Sequence, residues 1–320
     1  MPDARNEEEL KTLAAWMYYD DGLTQAQIAD RLRLSRIRVT RLLQRARDEG
    51  IVEIRITRPL PLRHELARRL QREFGLREAI LVKANESLDA TLDAVGRAGA
   101  EYLRQVVFPR CRVGIGWSTT VSRMAPHLRP LRQMVSCTVN ELAGSFLGQH
   151  SLFNISAKVA ETLAASIETL PVPVVVQSRT ARDAILAEEG IRRVMDHATR
   201  CDIAFVGLGD TSPDGTMVRT GYLTPSQLAR LHEDGAVGEI LMRYFDTYGN
   251  PVATPLDTRI VSLDWEAIRR IPIVVVLAAG PHKIEVILGA LRGRLCHCLV
   301  TDIETAQEVL RRAAEAPRHS

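Results

Sequence analysis

Three consecutive hydroxyls, Ser118, Thr119 and Thr120, follow Gly114-Ile115-Gly116-Trp117 at the end of an apolar run. Glycine lets a ligand approach the backbone, and a helix starting at Ser118 or Thr119 would offer N–H groups and hydroxyls to a phosphate oxygen. Gly-x-Gly also serves ordinary tight turns, so this loop gains meaning only in company. Its company is Ala279-Gly280-Pro281-His282-Lys283, where Lys283 adds an ammonium at a second helix start. The pair predicts an anion site. The pattern G-x-x-x-x-G-K-[ST] is missing, which argues against a nucleoside triphosphate. A third loop, Val206-Gly207-Leu208-Gly209-Asp210, ends a strand in the same manner, with Asp210 read as a turn cap. Glu239, Asp246 and Asn140 are the polar candidates for holding hydroxyls. Solvation of the two acids and helix capping by the amide are the competing readings.

A second kind of chemistry lies between Thr24 and Arg47, TQAQIADRLRLSRIRVTRLLQRAR. Thr24 caps a helix, with Gln27 three residues on completing a capping box, and Ile28, Ala29 and Leu32 form its apolar stripe. After a turn at Arg33 and Leu34, Ser35 caps a second helix. There Val39, Leu42, Leu43 and Ala46 share one face, and Arg41 and Gln44 fall opposite. A short helix, a tight turn and a second helix with bidentate-capable side chains is how a helix-turn-helix sets a reader in the major groove. Arg41 and Gln44 are the predicted base readers, and Ser35, Arg36, Arg38, Thr40 and Arg45 flank them. A preceding helix from about Glu7 to Tyr19 supplies Leu10, Leu13, Ala14 and Met17. Val52, Ile54 and Ile56 alternate with Glu53 and Arg55 as the strand of a wing.

Composition fits this division. The chain has 320 residues, 46% hydrophobic and 25% charged, with a net charge of only +3. Residues 1–77 carry 16 Lys/Arg against 12 Asp/Glu, while the rest is close to neutral. The basic excess therefore sits with the helical pair, and the remainder points to small molecules or self-association. Five cysteines at irregular positions make no disulfide framework. Cys296, His297 and Cys298 lack further converging ligands, so no metal is expected, and strand alternation would aim both cysteines the same way. No apolar run reaches the roughly 18 residues of a membrane span, and the N-terminus is unlike a signal peptide. A cytoplasmic protein without cofactor or membrane partner is expected.

Three segments are predicted: a helix-turn-helix domain over 1–58, a linker helix over 59–77 and an effector domain over 78–316. In the last, apolar runs begin at 79, 112, 134, 172, 202, 271 and 298, with helices at about 93–106, 155–165 and 285–291 between them. Val/Ile runs that end in glycine predict strands buried on both faces of a parallel sheet. The expected class is α/β: a winged helical unit followed by a larger Rossmann-like domain with its ligand at the carboxyl ends of the strands.

The assembled motifs resemble the SorC family of sugar-binding transcriptional regulators over nearly the full length. The resemblance rests on GIGWSTT, on DGAVGEILMRYFDTYGNPV from Asp234 and on LAAGPHKIEVILGALRGRLCHCLVTDIETAQEVL from Leu277. It implies an effector domain folded like sugar-phosphate isomerases but working as a sensor, usually within a tetramer that grips operator DNA. It assigns the phosphate to Gly116, Trp117, Ser118, Thr119, Thr120 and Lys283, with Glu239 and Asn140 nearer the sugar; Gly209 of the third loop is the remaining expected effector-site residue. Some relatives use a lysine after the third strand for a Schiff base; here the stretch from Asn140 reads NELAG, which favours reversible binding. The expected partners are double-stranded operator DNA, a phosphorylated sugar and further copies of the chain, as a homotetramer or at least a homodimer. An isomerase-like enzyme carrying a DNA-binding module is the alternative, and it lacks an evident acid–base pair beside the loop.

Overall fold

Thr24 and Ser35 set the architecture of the N-terminal residues by capping two successive helices. The computed structural model describes residues 4–53, 61–131, 136–145, 155–219 and 221–315, in two units, Met1–Leu60 and Pro61–Ser320. In the first unit, α1 (Ala4–Tyr19) precedes α2 (Gln25–Leu32) and α3 (Arg36–Asp48). Thr24 and Gln27 form the expected capping box, and the Ser35 hydroxyl accepts from the Arg38 N–H. Arg33 takes the left-handed conformation at φ 54° and turns the chain between α2 and α3. The core consists of Ala14, Ala15, Ile28, Ala29, Val39, Leu42, Leu43 and Ala46. Leu13, expected inside, is 44% exposed: α1 is phased so that Lys11, Ala14 and Ala15 face inward, and Lys11 meets the Glu49 carboxylate. Of the expected wing strand, Val52 donates its N–H to Ala46, while Ile54, Arg55 and Ile56 lie outside the described residues.

The second unit begins with α4 (Leu62–Phe74), the helix read as a linker. Leu66 and Leu70 are buried in the same core as Leu81, Val276 and Leu310, so α4 belongs to the body of this unit. Among the described residues ten strands follow: β1 (Glu78–Val82), β2 (Arg112–Ile115), β3 (Thr138–Glu141), β4 (Ser166–Glu168), β5 (Ile203–Gly207), β6 (Gly209–Asp210), β7 (Gly238–Ile240), β8 (Arg243–Phe245), β9 (Ile273–Leu277) and β10 (Cys298–Asp302). Seven of them form one parallel sheet in the order β1-β10-β9-β5-β2-β3-β4, and β6-β7-β8 make a small antiparallel sheet.

Alternate residues of the central strands enter two cores. Ala204, Val206, Val274 and Val276 pack with the helices Trp265–Arg270, Ile284–Arg292 and Ile303–Glu315. Ile203, Phe205, Val275 and Leu277 pack with α5 (Leu88–Val106) and the Ile155–Leu163 helix. Both faces are therefore covered, as the glycine-terminated Val/Ile runs predicted.

Three local expectations differ. The run Val172–Val176 does not join the parallel sheet; Pro171 and Pro173 remove ladder donors, and it makes isolated bridges at Ser145 and Ile260. The short, polar β4 takes the sheet edge in its place, pairing Asn140 with Glu168. The run that begins at Met134 enters the sheet only at Thr138; Met134 and Val135 lie outside the described residues. At the other end, β10 starts at Cys298, so Cys296 precedes the strand and packs in the opposite core from Cys298.

The strand order creates a switch point. From β2 the chain proceeds to β3 on one side, and from β5 to β9 on the other, while β2 and β5 are themselves neighbours. Their following loops diverge and leave a crevice at the carboxyl ends of the strands, where open α/β sheets bind ligands.

Candidate functional site

The loops after β2, β5 and β9 converge on this crevice. A narrow cleft is lined by Trp117, Ser118, Thr119 and Thr120, by Gly207, Leu208, Gly209 and Asp210, and by Lys283, with Met217, Glu239 and Leu241 closing it. Ser118 is the cap of the four-residue helix Thr119–Ser122, its hydroxyl oxygen accepting from the Val121 N–H at 2.9 Å. That leaves the Ser118 hydroxyl proton to be donated elsewhere. Trp117 donates its indole N–H to the Gly144 carbonyl at 3.0 Å, which fixes the ring at the edge of the cleft.

Glycines permit the convergence by packing. A Cβ on Gly209 would lie 2.0 Å from Glu239 Oε1, so the two side-by-side strands β6 and β7 need glycine there for the carboxylate to fit. Gly116 sits behind the loop: a Cβ there would strike Leu241 at 2.6 Å, and its N–H donates to Phe205. Its glycine is required by strand packing against the β7–β8 hairpin, and Gly116 does not line the cleft.

Lys283 reaches the cleft already engaged. Its ammonium donates to the Asp210 carboxylate at 2.7 Å and to the Leu208 carbonyl at 2.8 Å, and the side chains of Lys283 and Asp210 are only 13% and 12% exposed. Burial by itself would raise the Asp210 carboxyl; Lys283 and the hydrogen bonds from Lys283 and Ser212 outweigh it and bring the group down to about 2. Glu239 lies at the floor, buried, accepting from the Met242 N–H at 2.6 Å. Burial pushes its carboxyl up, against the Met242 bond and the Lys283 charge. One cation and two carboxylates with opposite tendencies thus share the cleft. The sequence reading of Asp210 as a turn cap holds, since its Oδ1 accepts from the Ser212 N–H at 3.0 Å, but the partnership of its Oδ2 with Lys283 was missed. The contributing signal is that both residues follow neighbouring strands of the parallel sheet, which only topology reveals.

Two expected residues lie elsewhere. Asn140 is fully buried on β3 and donates to Glu168 at 2.6 Å, away from the cleft; Glu168 in turn meets His197 at 2.9 Å. Asp246 accepts from the N–H groups of Tyr248 and Asn250 and so holds its own turn. Among the described residues no group of three His, Cys, Asp or Glu side chains is arranged to hold a metal ion.

On the N-terminal unit, α3 presents the expected outer face. Ser35, Arg36, Arg38, Thr40, Arg41, Gln44 and Arg45 are all exposed. Ile37, Arg41, Gln44 and Asp48 share the line opposite the buried stripe. Ile37, 67% exposed, was missed by reasoning from charge, and it offers an apolar contact of the kind a thymine methyl accepts. Four of the polar side chains have protein partners: Ser35 accepts from the Arg38 N–H at 3.2 Å, Arg45 pairs with Glu7 at 2.5 Å, Gln44 donates to Asp48 at 2.9 Å, and Thr40 donates to Gln25 at 2.9 Å. Arg36, Arg38 and Arg41 lie on the exposed turns nearest the N-terminus of α3.

Comparison with known proteins agrees with both halves. Residues 60–311 match the domain family described as "Putative sugar-binding domain", and residues 5–53 match the one described as "Homeodomain-like domain". The chain is 30% identical over 312 residues to the deoxyribonucleoside regulator of Bacillus subtilis (strain 168), covering 96% of this chain and 98% of that one. It is also 30% identical over 315 residues to the transcriptional regulator LsrR of Escherichia coli (strain K12), covering 95% of each. The crystal structure of the full-length sorbitol operon regulator SorC from Klebsiella pneumoniae matches with a TM-score of 0.75 at 28% identity, over 95% of this chain and 99% of that one.

Proposed function

The chain belongs to the SorC family of sugar-binding transcriptional regulators, and from that premise we propose that it binds double-stranded operator DNA through α3 and that a phosphorylated sugar in the cleft sets its affinity for DNA. The observation that carries the ligand half is the meeting, across the switch point, of the Ser118–Thr120 hydroxyls with the Lys283 ammonium. A phosphate accepts from both kinds of donor, and Glu239 at the floor accepts or donates to sugar hydroxyls according to its protonation. Binding is reversible, because the stretch from Asn140 holds no lysine for a Schiff base. A ligand moves the DNA equilibrium only by its difference in affinity for two states of the protein.

Sensing is favoured over turnover. Proton abstraction from a sugar needs a base within hydrogen-bond reach of the substrate, and His282, the histidine nearest Lys283 in sequence, does not line the cleft. Because one reading helix binds weakly, the protein acts as a homodimer or homotetramer, and its place of action is the cytoplasm.

The test is fluorescence anisotropy on DNA from upstream of its own gene cluster, with a panel of sugar phosphates and the matching free sugars. A shift in affinity with one phosphorylated sugar and none with its free form is expected. Tight, specific DNA binding that ignores every ligand would overturn the effector half, and turnover of a sugar phosphate would replace it with the enzyme reading.

A further inference from the structure

Asp210 occupies the position of the ligand's own anion. It is a carboxylate 2.7 Å from the ammonium that the phosphate needs, in a cleft whose other acid, Glu239, is buried at the floor. With Asp210 seated on Lys283 the pair is neutral, so an entering phosphate would find no uncompensated cation and the Asp210 carboxylate in its way. We infer that Asp210 is a built-in competitor: a phosphate binds by taking Lys283 from the Asp210 carboxylate, and this exchange sets the affinity threshold and the link between ligand and loop. The inference rests on the cleft being a phosphate site, as proposed above.

Geometry gives the exchange a consequence. The same Asp210 side chain organises the segment that follows: its Oδ1 accepts from the Ser212 N–H at 3.0 Å and from the Ser212 hydroxyl. Gly215 then donates to the Ser212 carbonyl at 2.9 Å, and the helix Thr216–Arg219 follows directly, bringing Met217 to the wall of the cleft. A carboxylate released from Lys283 is released at the head of that segment. Ligand entry is therefore felt by the backbone of 210–217 even where the ligand does not touch it. A sugar without phosphate cannot replace Asp210 on the ammonium, so the same device discriminates against it.

The test uses the full-length protein, with inorganic phosphate and glucose 6-phosphate as probes in calorimetric titrations. Asp210→Asn keeps an oxygen for the Ser212 N–H and removes the competing charge. It is expected to bind inorganic phosphate about tenfold or more tightly than the unaltered chain, because the fraction of molecules with an available Lys283 rises. In the Lys283→Met background, which leaves no cation to compete for, Asp210→Asn is expected to bring only the smaller gain that relief of repulsion gives. A gain as large there as in the unaltered chain, or an Asp210→Asn protein that binds no more tightly than the unaltered one, overturns the competitor role while leaving the phosphate site standing. Binding of neither probe by either protein overturns the site itself and the inference with it.

Discussion

Gly207 and Ser118 approach so closely that a Cβ on Gly207 would lie 2.3 Å from the serine hydroxyl oxygen and 2.4 Å from its Cβ. The carboxyl end of β5 thus forms the seat for the residue that caps the hydroxyl loop after β2. The need for glycine here is spatial and does not come from an unusual backbone angle.

Gly207→Ala is therefore expected to displace Ser118, break its cap on Val121 and cost about 1–3 kcal/mol of stability, as overpacking does. Ligand binding should weaken with it, while DNA binding without ligand stays unchanged. Thermal melts and titrations with a sugar phosphate check both parts. An unchanged affinity for ligand would mean that Ser118 is not a contact.

On α3 the exposed arginines are not equivalent. Arg41 is predicted to read a base and Arg45 is held by Glu7 at 2.5 Å. Arg41→Ala should cost about 1–3 kcal/mol on the best operator and relax preference at one base position. Glu7→Ala should free Arg45 for phosphate, strengthening binding to every sequence and steepening the salt dependence by up to about 0.9 in log affinity per log salt. Band-shift titrations against operator variants at several salt concentrations separate the two effects. Intact preference in the Arg41 variant would move the reading face elsewhere.

Much of this was legible in the residues because the decisive forces there are local. The Thr24–Gln27 and Ser35 caps, the 39/42/43/46 stripe and the glycine-terminated Val/Ile strands each depend on neighbours a few positions away. What was not legible depends on partners far along the chain. Asn140 follows the pleat of β3 to Glu168, 28 residues on, and so leaves the cleft. Lys283 finds Asp210, 73 residues earlier, because β9 and β5 are neighbours. Val172–Val176 has the composition of a buried strand, but Pro171 before it, Pro173 within it and the edge position of β4 exclude it from the sheet. Leu13 went outward because the buried stripe of α1 runs through Lys11, whose stem is covered while its ammonium meets Glu49.

The packing of α4 into the core of the second unit is testable by cavity formation. Leu70 is fully buried among residues of the sheet and of the Ile303–Glu315 helix. Leu70→Ala should lower the stability of the second unit by about 2–5 kcal/mol. A variant lacking residues 1–60 provides the readout by chemical denaturation. A loss below about 1 kcal/mol would mean that Leu70 does not carry core packing.

The two acids of the cleft make opposite contributions to stability as pH changes. The Asp210 carboxyl is lowered from 3.8 to about 2 in the folded protein, so its pairing stabilises the fold above the unfolded value and that contribution, about 2 kcal/mol, is lost as pH falls through about 2. Glu239 is raised above 4.5 by burial, so the folded state holds its proton longer than the unfolded one, and stability declines as pH rises from 4.5 through the raised value. Asp210→Asn should be less stable than the unaltered chain at pH 5 and show a shallower loss between about pH 4 and 2. Glu239→Gln, whose amide oxygen still accepts from Met242, should lack the decline on the alkaline side. Urea midpoints at fixed protein concentration across this range check the signs, since association would otherwise shift them. An acid limb as steep in Asp210→Asn as in the unaltered chain would mean that the Lys283–Asp210 pair does not hold the carboxyl down.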